Sequence, residues 1–304
     1  MEHRRTSTPV FHAKIMTLAA RNARLGLALV APVLLCLLVL VVYPFAFAVY
    51  ISFTDRTVGA QVVNFVGFKN FEYIFAQQSF QKSVRNTITL VVGLQSLKLV
   101  LGLGCASLLN QTIRGRTAFR ALILLPWAMP AFVAYLLWKF MYDPTQGGAF
   151  NMILTGLFGV QLDFLSTREL AMPSVIVASF WRGFPFWVIS FLAGMQGISP
   201  ELYEAAAMDG ATPWQRFRNV TVPGIRHVIL VVVLLSTIWT TNGFENVWLL
   251  TQGGPSDATM TFPVLAYFGL QNLRLGEASA VSVSMLPVFA VLAVVAVRLL
   301  QRED

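Results

Sequence analysis

The segment Glu204-Ala205-Ala206-Ala207-Met208-Asp209-Gly210, followed by Val220-Thr221-Val222-Pro223, lies in the longest polar interval of an otherwise apolar chain. Ser199 is suited to cap a helix that has Pro200 at its first position. Gly210 accepts the left-handed backbone that ends such a helix. The sequence therefore predicts a first short helix that stops at Gly210.

A second short helix is predicted directly after Gly210. Thr212 is a good N-cap, Pro213 suits the first helical position, and Gln215 stands three residues after the cap, which predicts a capping box. Pro223 prevents this helix from running smoothly into the apolar residues that follow. We therefore expect residues 197–224 to form a helical elbow outside the membrane, between two spans.

The spacing of the elbow residues resembles the EAA loop in the permease subunits of bacterial ABC importers. The matching residues are Glu204, Ala205, Ala206, Gly210, Val220, Val222 and Pro223. The resemblance implies that the elbow docks on a cytoplasmic ATPase and transmits the force of ATP binding. The coupling residues it implies are Glu204, Ala205, Ala206, Asp209, Gly210 and Pro223. The alternative is an amphipathic loop of an unrelated membrane protein.

The composition around the elbow is that of a membrane protein. The chain has 304 residues, of which 56% are hydrophobic and 12% charged, whereas soluble domains carry about 25% charged residues. Several apolar runs approach or exceed the roughly 20 residues that cross a bilayer. We predict an all-α polytopic protein with six transmembrane helices, at about 25–53, 84–110, 119–142, 171–196, 227–250 and 278–299.

The basic residues predict the orientation of these spans. Lys and Arg are concentrated at one set of span ends, which places that side in the cytoplasm. We therefore expect a basic N-terminal tail over 1–24, a permease domain over 25–300 that includes the elbow, and a short end over 301–304, with both termini in the cytoplasm. The net charge of +8 is explained by these loops, so nucleic acid is not expected as a partner. The predicted location is the bacterial cytoplasmic (inner) membrane.

Further segments resemble the sugar-type permeases of this family, including the maltose and glycerol-phosphate importers. They include Gly67–Phe71, Trp181–Phe186, Phe244–Trp248 and Leu250–Pro255. The resemblance covers nearly all of 25–300 and implies the type I ABC importer permease fold. It also implies the partners: a second related permease, two ATPase subunits, an extracytoplasmic solute-binding protein and a sugar-type substrate, in contact with membrane lipid.

Catalytic chemistry is not indicated in this chain. The sequence has no Gly-Lys dipeptide and hence no Walker A loop. No catalytic residue, metal site or bound cofactor is predicted, and ATP and Mg are expected on the partner ATPases.

Charged residues inside the spans are the best candidates for a solute pathway, because such residues are costly in a bilayer and usually face water, a partner or a ligand. Lys98 lies near the centre of the second span, Arg182 in the fourth and Glu245 toward one end of the fifth. Lys98 either faces the cavity or pairs with Glu245 or another acid, and Glu245 is also placed to pair with Arg182. Trp181 and Trp239 are mid-span aromatics suited to stacking on sugar rings, and Asn242 to hydrogen bonding with hydroxyls.

The function predicted is ATP-driven import of a sugar or sugar derivative by alternating access, the solute being anionic if Lys98 and Arg182 act together. One alternative is a secondary transporter driven by an ion gradient, which predicts inverted repeats and helices broken near the midplane. Neither feature is evident in the sequence. A membrane-embedded enzyme requires a cluster of acids, bases or metal ligands that the sequence does not show.

Overall fold

The computed structural model describes residues 10–112, 114–145 and 147–301. All regular elements in these ranges are helices, apart from one isolated β-bridge between Thr54 and Phe65. The chain divides into two compact units, residues 1–51 and residues 52–304. The predicted all-α class is confirmed.

The first unit is one long helical rod. Helix α1 (Val10–Leu37) continues through a π-helical turn (Leu38–Val42) into α2 (Tyr43–Ser52). Its stretch from Asn22 to Ser52 is long and apolar enough to span a membrane, which agrees with the predicted first span. The helix begins well before residue 25, inside the predicted tail, while residues 1–9 of that tail lie outside the described residues. From Leu25 to Phe47 its large apolar side chains are exposed in this chain, as expected for a helix surrounded by lipid or another subunit, whereas Ile51 near its end is buried.

The second unit contains the remaining helices. In chain order they are α3 (Lys69–Ala76), α4 (Gln78–Asn110), α5 (Arg116–Ala128), α6 (Ala131–Met141), α7 (Ala149–Phe158), α8 (Arg168–Gln196), α9 (Pro200–Met208), α10 (Pro213–Arg216), a π-helical turn (Phe217–Thr221), α11 (Val222–Gly224), α12 (Arg226–Thr241), α13 (Glu245–Leu250), α14 (Phe262–Gln271), α15 (Leu275–Ser284) and α16 (Leu286–Gln301).

Four helices of the described chain are long and apolar enough to cross a membrane, and two bent helix pairs raise the total to six if each pair is one span. The six predicted spans agree with this upper count. The short helices α7 and α14 were not predicted, because each apolar run is too brief to be separated from its loop by composition alone.

The third predicted span, 119–142, is not one continuous helix. Helices α5 and α6 meet at an angle of 94°. The cause lies at Met129 and Pro130, whose ψ angles of 139° and 137° are extended. A residue before proline is driven out of the α region by the proline ring, so the helix ends there.

The fifth span is broken as well. Helix α12 ends at Thr241, and α13 starts at Glu245 after the short link formed by Asn242, Gly243 and Phe244. Helices broken inside the apolar region are therefore present, although the sequence did not show them. The fold alone thus gives no argument of this kind against a secondary transporter.

Three buried apolar clusters lie in the described part of the second unit, and two of them border the candidate site. The Trp138 cluster includes Leu94, Ala178 and Val247. The Trp187 cluster includes Ala106, Phe191, Ile225 and Val232.

Polar residues lie between the Trp138 cluster and the Trp187 cluster on α4, on α8, and on the consecutive helices α12 and α13. Lys98 lies between Leu94 and Ala106 on α4, and Arg182 lies between Ala178 and Trp187 on α8. The segment from Ser236 to Asn246 lies between Val232 and Val247 on α12 and α13. The fold thus places a polar layer between two apolar ones.

Candidate functional site: a helical elbow and a polar cavity

The first helix of the elbow ends as its sequence predicts. The Ala211 amide donates to the Ala206 carbonyl at 2.9 Å, and the Gly210 amide donates to the Ala207 carbonyl at 3.0 Å. These two bonds form a Schellman motif, with Gly210 at φ +76° in the left-handed region. The predicted stop at Gly210 is confirmed.

The second helix of the elbow carries the predicted capping box. The Gln215 amide donates to Thr212 Oγ1 at 3.3 Å, and the Thr212 amide donates to Gln215 Oε1 at 2.7 Å. The predicted cap by the Ser199 side chain is wrong, because no such bond forms. The Leu202 amide, which that side chain would have bound, donates instead to the Ser199 carbonyl at 3.2 Å.

The elbow closes on itself and then turns into the next span. The hydroxyls of Tyr203 and Thr221 are hydrogen-bonded at 3.0 Å, which ties α9 to the π-helical turn. Residues Pro213–Gly224 and α12 are bent by 67° relative to each other. Pro223 lies in α11, directly before this bend.

The tip of the elbow is open to solvent. Glu204, Ala205, Asp209 and Gly210 are exposed, and Ala206 is half-buried. Met208 is 88% exposed and Trp214 68%. The tip thus presents two large apolar side chains to solvent beside the exposed carboxylates Glu204 and Asp209.

The base of the elbow is packed tightly into the Trp187 cluster. Ile225 is fully buried there. A Cβ added at Gly194 of α8 would lie 3.2 Å from Ile225 Cγ2, and one added at Gly224 would lie 2.7 Å from Ile198 Cδ1. The base of the elbow is therefore closely packed against α8, and no space is left between them for an additional methyl group.

Above the Trp187 cluster, the polar layer surrounds a cavity of about 440 Å³. Its walls come from α4, α5, α6, α8, α12 and α13. The lining residues are Leu94, Lys98, Trp127, Ala131, Tyr135, Ser179, Arg182, Gly183, Phe186, Ser236, Trp239, Thr240, Asn242, Gly243, Phe244, Glu245 and Asn246.

Three charged candidates from the sequence meet at this cavity. Lys98, Arg182 and Glu245 all line it, although they are distant in sequence. Lys98 is only 6% exposed. No ion pair joins Lys98 or Arg182 to Glu245 among the described residues, so the alternative in which Lys98 pairs with Glu245 is not seen.

Of the aromatic and amide candidates from the sequence, two line the cavity and one does not. Trp239 and Asn242 line the cavity, and the Asn242 side-chain amide also donates to the Ile238 carbonyl at 2.9 Å. Trp181 does not line the cavity. It packs against the Trp138 cluster, edge-to-face with Trp138 at a ring distance of 5.8 Å.

Sequence reasoning missed two polar residues of the cavity, Ser179 and Asn246. The Asn246 amide donates to Ser179 Oγ at 3.2 Å. Gln95, which is not part of the lining, donates to the cavity residue Thr240 at 3.3 Å. Neutral polar residues are common in membrane helices as packing contacts, so nothing local distinguished Ser179 and Asn246.

A second recess of about 710 Å³ lies between α3, α14 and α15. Its main cation, Arg274, is already satisfied by Tyr73 at 3.2 Å and Glu277 at 3.1 Å. The hydrogen bonds from Tyr73 and then Glu277 raise the pKa of Arg274. The cavity between the clusters is the better candidate site, because its cations lack such neutralising contacts.

Comparison with known proteins identifies the family. The model of the family described as "binding-protein-dependent transport system inner membrane component" matches residues 98–303. The trehalose/maltose transport system permease protein MalF of Thermococcus litoralis is 33% identical over 263 residues, covering 86% of this chain and 89% of that protein. The sulfoquinovosyl glycerol transport system permease protein SmoG of Agrobacterium fabrum is 31% identical over 287 residues, covering 92% and 91%.

A solved structure shares the fold. It is the crystal structure of a bacterial ABC transporter involved in the import of the acidic polysaccharide alginate, which matches with a TM-score of 0.78 at 24% identity and covers 95% of this chain and 99% of that one. The bent helices therefore belong to an ABC importer fold, and the secondary-transporter alternative is not supported. The chain belongs to the inner membrane components of binding-protein-dependent transport systems, the permease subunits of ABC importers.

Proposed function

We propose that this chain is one of two related permease subunits of a sugar importer, with its termini in the cytoplasm. In this proposal the elbow docks on one of two ATPase subunits, which bind ATP and Mg, and a solute-binding protein delivers the sugar from outside. The names of relatives support the sugar class, since they include transporters of trehalose, maltose and sulfoquinovosyl glycerol.

One observation carries the proposal: the elbow and the cavity share the same rigid elements. Ile225 at the base of the elbow is buried in the Trp187 cluster, and α12 leads from Ile225 directly to the cavity residues Ser236 and Thr240. Protein interiors are close-packed, so a displacement of the elbow is transmitted rather than absorbed.

Transport then follows from this connection. Closure of the ATPase dimer moves the elbow, the elbow moves α12 and the end of α8, and the walls of the cavity separate on one side and approach on the other. The breaks at Met129-Pro130 and at residues 242–244 are positions where such helices can change direction. The cavity is the place where the solute resides between these two states.

Reversal of the charge at Glu204 tests the proposal. The four-component importer is co-expressed, reconstituted in proteoliposomes, and assayed for ATP-driven uptake of the solute that its own binding protein retains. Glu204→Lys is expected to reduce uptake at least tenfold, because the exposed carboxylate is placed at the docking tip. The matched control is Glu201→Lys, in the first turn of the same helix and also exposed.

Equal abundance of the variants in the membrane is verified by immunoblot. The proposal requires that Glu201→Lys keeps uptake within about twofold of the wild type, as expected for an exposed substitution away from a contact. Normal uptake with Glu204→Lys, or isolation of a fully active importer that lacks a second permease, contradicts the proposal.

A further inference from the structure

Two cations, Lys98 on α4 and Arg182 on α8, line the cavity. Lys98 is buried, and no hydrogen bond or ion pair among the described residues involves its side chain. Arg182 is half-buried, and its Nε atom is buried with no hydrogen-bond partner in the described chain. Charged residues inside membrane spans face water, a partner or a ligand, so two unpaired cations at one cavity suit a ligand that supplies negative charge.

Gly183 leaves room for the Lys98 ammonium group. A Cβ added at Gly183 would lie 2.7 Å from Lys98 Nζ and 2.9 Å from its Cε. The lysine side chain therefore lies directly on the surface of α8, and a side chain at position 183 would require the end of Lys98 to shift. The position of the ammonium group depends on the packing of α4 on α8.

Glu245 does not remove this excess of positive charge. It lines the same cavity but forms no ion pair with either cation. Two cations and one carboxylate leave the described lining with one net positive charge. The wall also offers neutral polar groups, of which Asn246 Oδ1 is buried without a hydrogen-bond partner. Such a lining fits a ligand that has both a negative group and hydroxyl donors.

The same two helices carry further cations at their N-terminal ends. Lys82 and Arg85 of α4 and Arg168 of α8 line a small pocket of about 240 Å³. Asp257, the acid in its described lining, pairs with Lys82 at 3.0 Å. From Arg85 to Lys98 the helix rises by about 20 Å. Positive charge at both levels attracts an anion to the end of α4 and α8 and then to the cavity.

We propose that the solute of this importer is a sugar bearing an anionic group, and that Lys98 and Arg182 bind this group while Gly183 positions Lys98. The inference rests on the proposed function, since it names the substrate class of the same cavity. An anionic group between the two side chains completes their hydrogen bonding, and charge-assisted hydrogen bonds of this kind are among the strongest in proteins. The sugar hydroxyls form hydrogen bonds with Asn246 and the neutral polar residues near it.

Two probes that differ in charge test this inference. The purified complete importer, in detergent and without its binding protein, is titrated with methyl glucuronide and with methyl glucoside by isothermal titration calorimetry. The wild type is expected to bind the glucuronide at least about tenfold more tightly, as one charge-assisted contact provides. Lys98→Met is expected to remove this preference, and the matched control Lys139→Met, at an exposed lysine on α6, to keep it.

A second pair of variants keeps all charges and changes only the space available to the Lys98 ammonium group. Gly183→Ala is expected to reduce the preference at least about threefold, because the added methyl group displaces the Lys98 ammonium. Gly104→Ala on α4, where an added Cβ meets no atom within 4 Å, is the control and is expected to keep the preference. This pair remains informative if Lys98→Met fails to assemble.

Equal binding of the two probes by the wild type, or binding of neither at millimolar concentration, overturns the anionic assignment. A preference that survives both Lys98→Met and Gly183→Ala overturns the role of these residues. If the Glu204 experiment at the same time shows coupled uptake, the proposed function stands and only this inference fails. If Glu204→Lys has no effect, the proposed function fails irrespective of the probes.

Discussion

The hydrogen bonds of the elbow join residues that are close in sequence, whereas those at the cavity join residues that are far apart in sequence. In the elbow, the amides of Gly210 and Ala211 bond to Ala207 and Ala206, and Thr212 bonds to Gln215. At the cavity, Asn246 bonds to Ser179 across 67 positions, and Gln95 bonds to Thr240 across 145. The elbow therefore has its own local structure, whereas the cavity exists only when α4, α8 and α12 are assembled.

The two regions should therefore respond differently to mutation. A change in the elbow affects a few hydrogen bonds nearby and leaves the spans intact, so that coupling is lost and stability is mostly retained. A change in the packing below the cavity affects several helices at once, so that stability and solute binding are lost together. The following variants test this contrast, in order of expected effect.

The largest effect is expected for Trp187→Ala. Trp187 is fully buried and packs edge-to-face on Phe191 at a ring distance of 5.6 Å. Its truncation is expected to lower the free energy of unfolding by about 3–5 kcal/mol, measured by equilibrium unfolding in SDS. Binding of the sugar probes should weaken in parallel, while hydrogen exchange at the tip of the elbow, at the Gly210, Ala211 and Gln215 amides, stays unchanged because their bonds are local.

Phe140→Ala is the control for this variant, because Phe140 is 71% exposed in this chain. Its expected cost is below about 0.5 kcal/mol. If Trp187→Ala leaves probe binding intact, or if it accelerates exchange throughout the elbow, then the two regions are not distinct in the way the hydrogen bonds indicate.

An intermediate effect is expected for Gly210→Ala compared with Gly59→Ala. Both glycines have positive φ, +76° and +84°, and an added Cβ would meet no atom within 4 Å at either position. Both alanines are thus expected to cost about 1–2 kcal/mol through the left-handed backbone alone. ATP-driven uptake should fall several-fold for Gly210→Ala and remain normal for Gly59→Ala. Similar uptake in the two variants, at equal stability, would show that the bend itself does not matter for coupling.

The smallest effect is expected for Thr212→Ala, which removes the capping box. The cost is about 1 kcal/mol, confined to the start of α10. Hydrogen–deuterium exchange should accelerate at the Gln215 amide, and Thr212→Ser should restore the slow rate because its hydroxyl is in the same position. Faster exchange in α12 as well would indicate that the elbow is less independent than its hydrogen bonds suggest.

The same contrast explains what could be predicted from sequence. The helix stop and the capping box of the elbow depend on residues within a few positions of one another, namely Gly210, Thr212, Pro213 and Gln215. Both features could therefore be predicted from the sequence. Ser199 was the exception, because its own carbonyl satisfies the amide that its side chain was expected to cap.

The breaks in the spans were harder to predict, because proline has no fixed effect in a membrane helix. Pro173 and Pro185 lie inside α8, which is continuous, whereas Pro130 separates α5 from α6. Tertiary packing decides between these outcomes. The charged candidates Lys98, Arg182 and Glu245 could be selected from their depth in the spans, but the lack of ion pairing and the position of Trp181 depend on contacts between distant helices.

The seating of Lys98 on Gly183 has a consequence for how the protein is made. A span with a central lysine enters the lipid bilayer reluctantly, since insertion scales assign roughly 2.5–3.5 kcal/mol to such a residue, and α8 carries the same burden through Arg182. Between them, the ribosome synthesises the whole stretch from α5 to α7. We therefore expect α4 and α8 to remain near the translocon or a membrane chaperone until α12 and α13 emerge, because two like charges do not neutralise each other and enter the bilayer only when the polar cavity that faces them has formed.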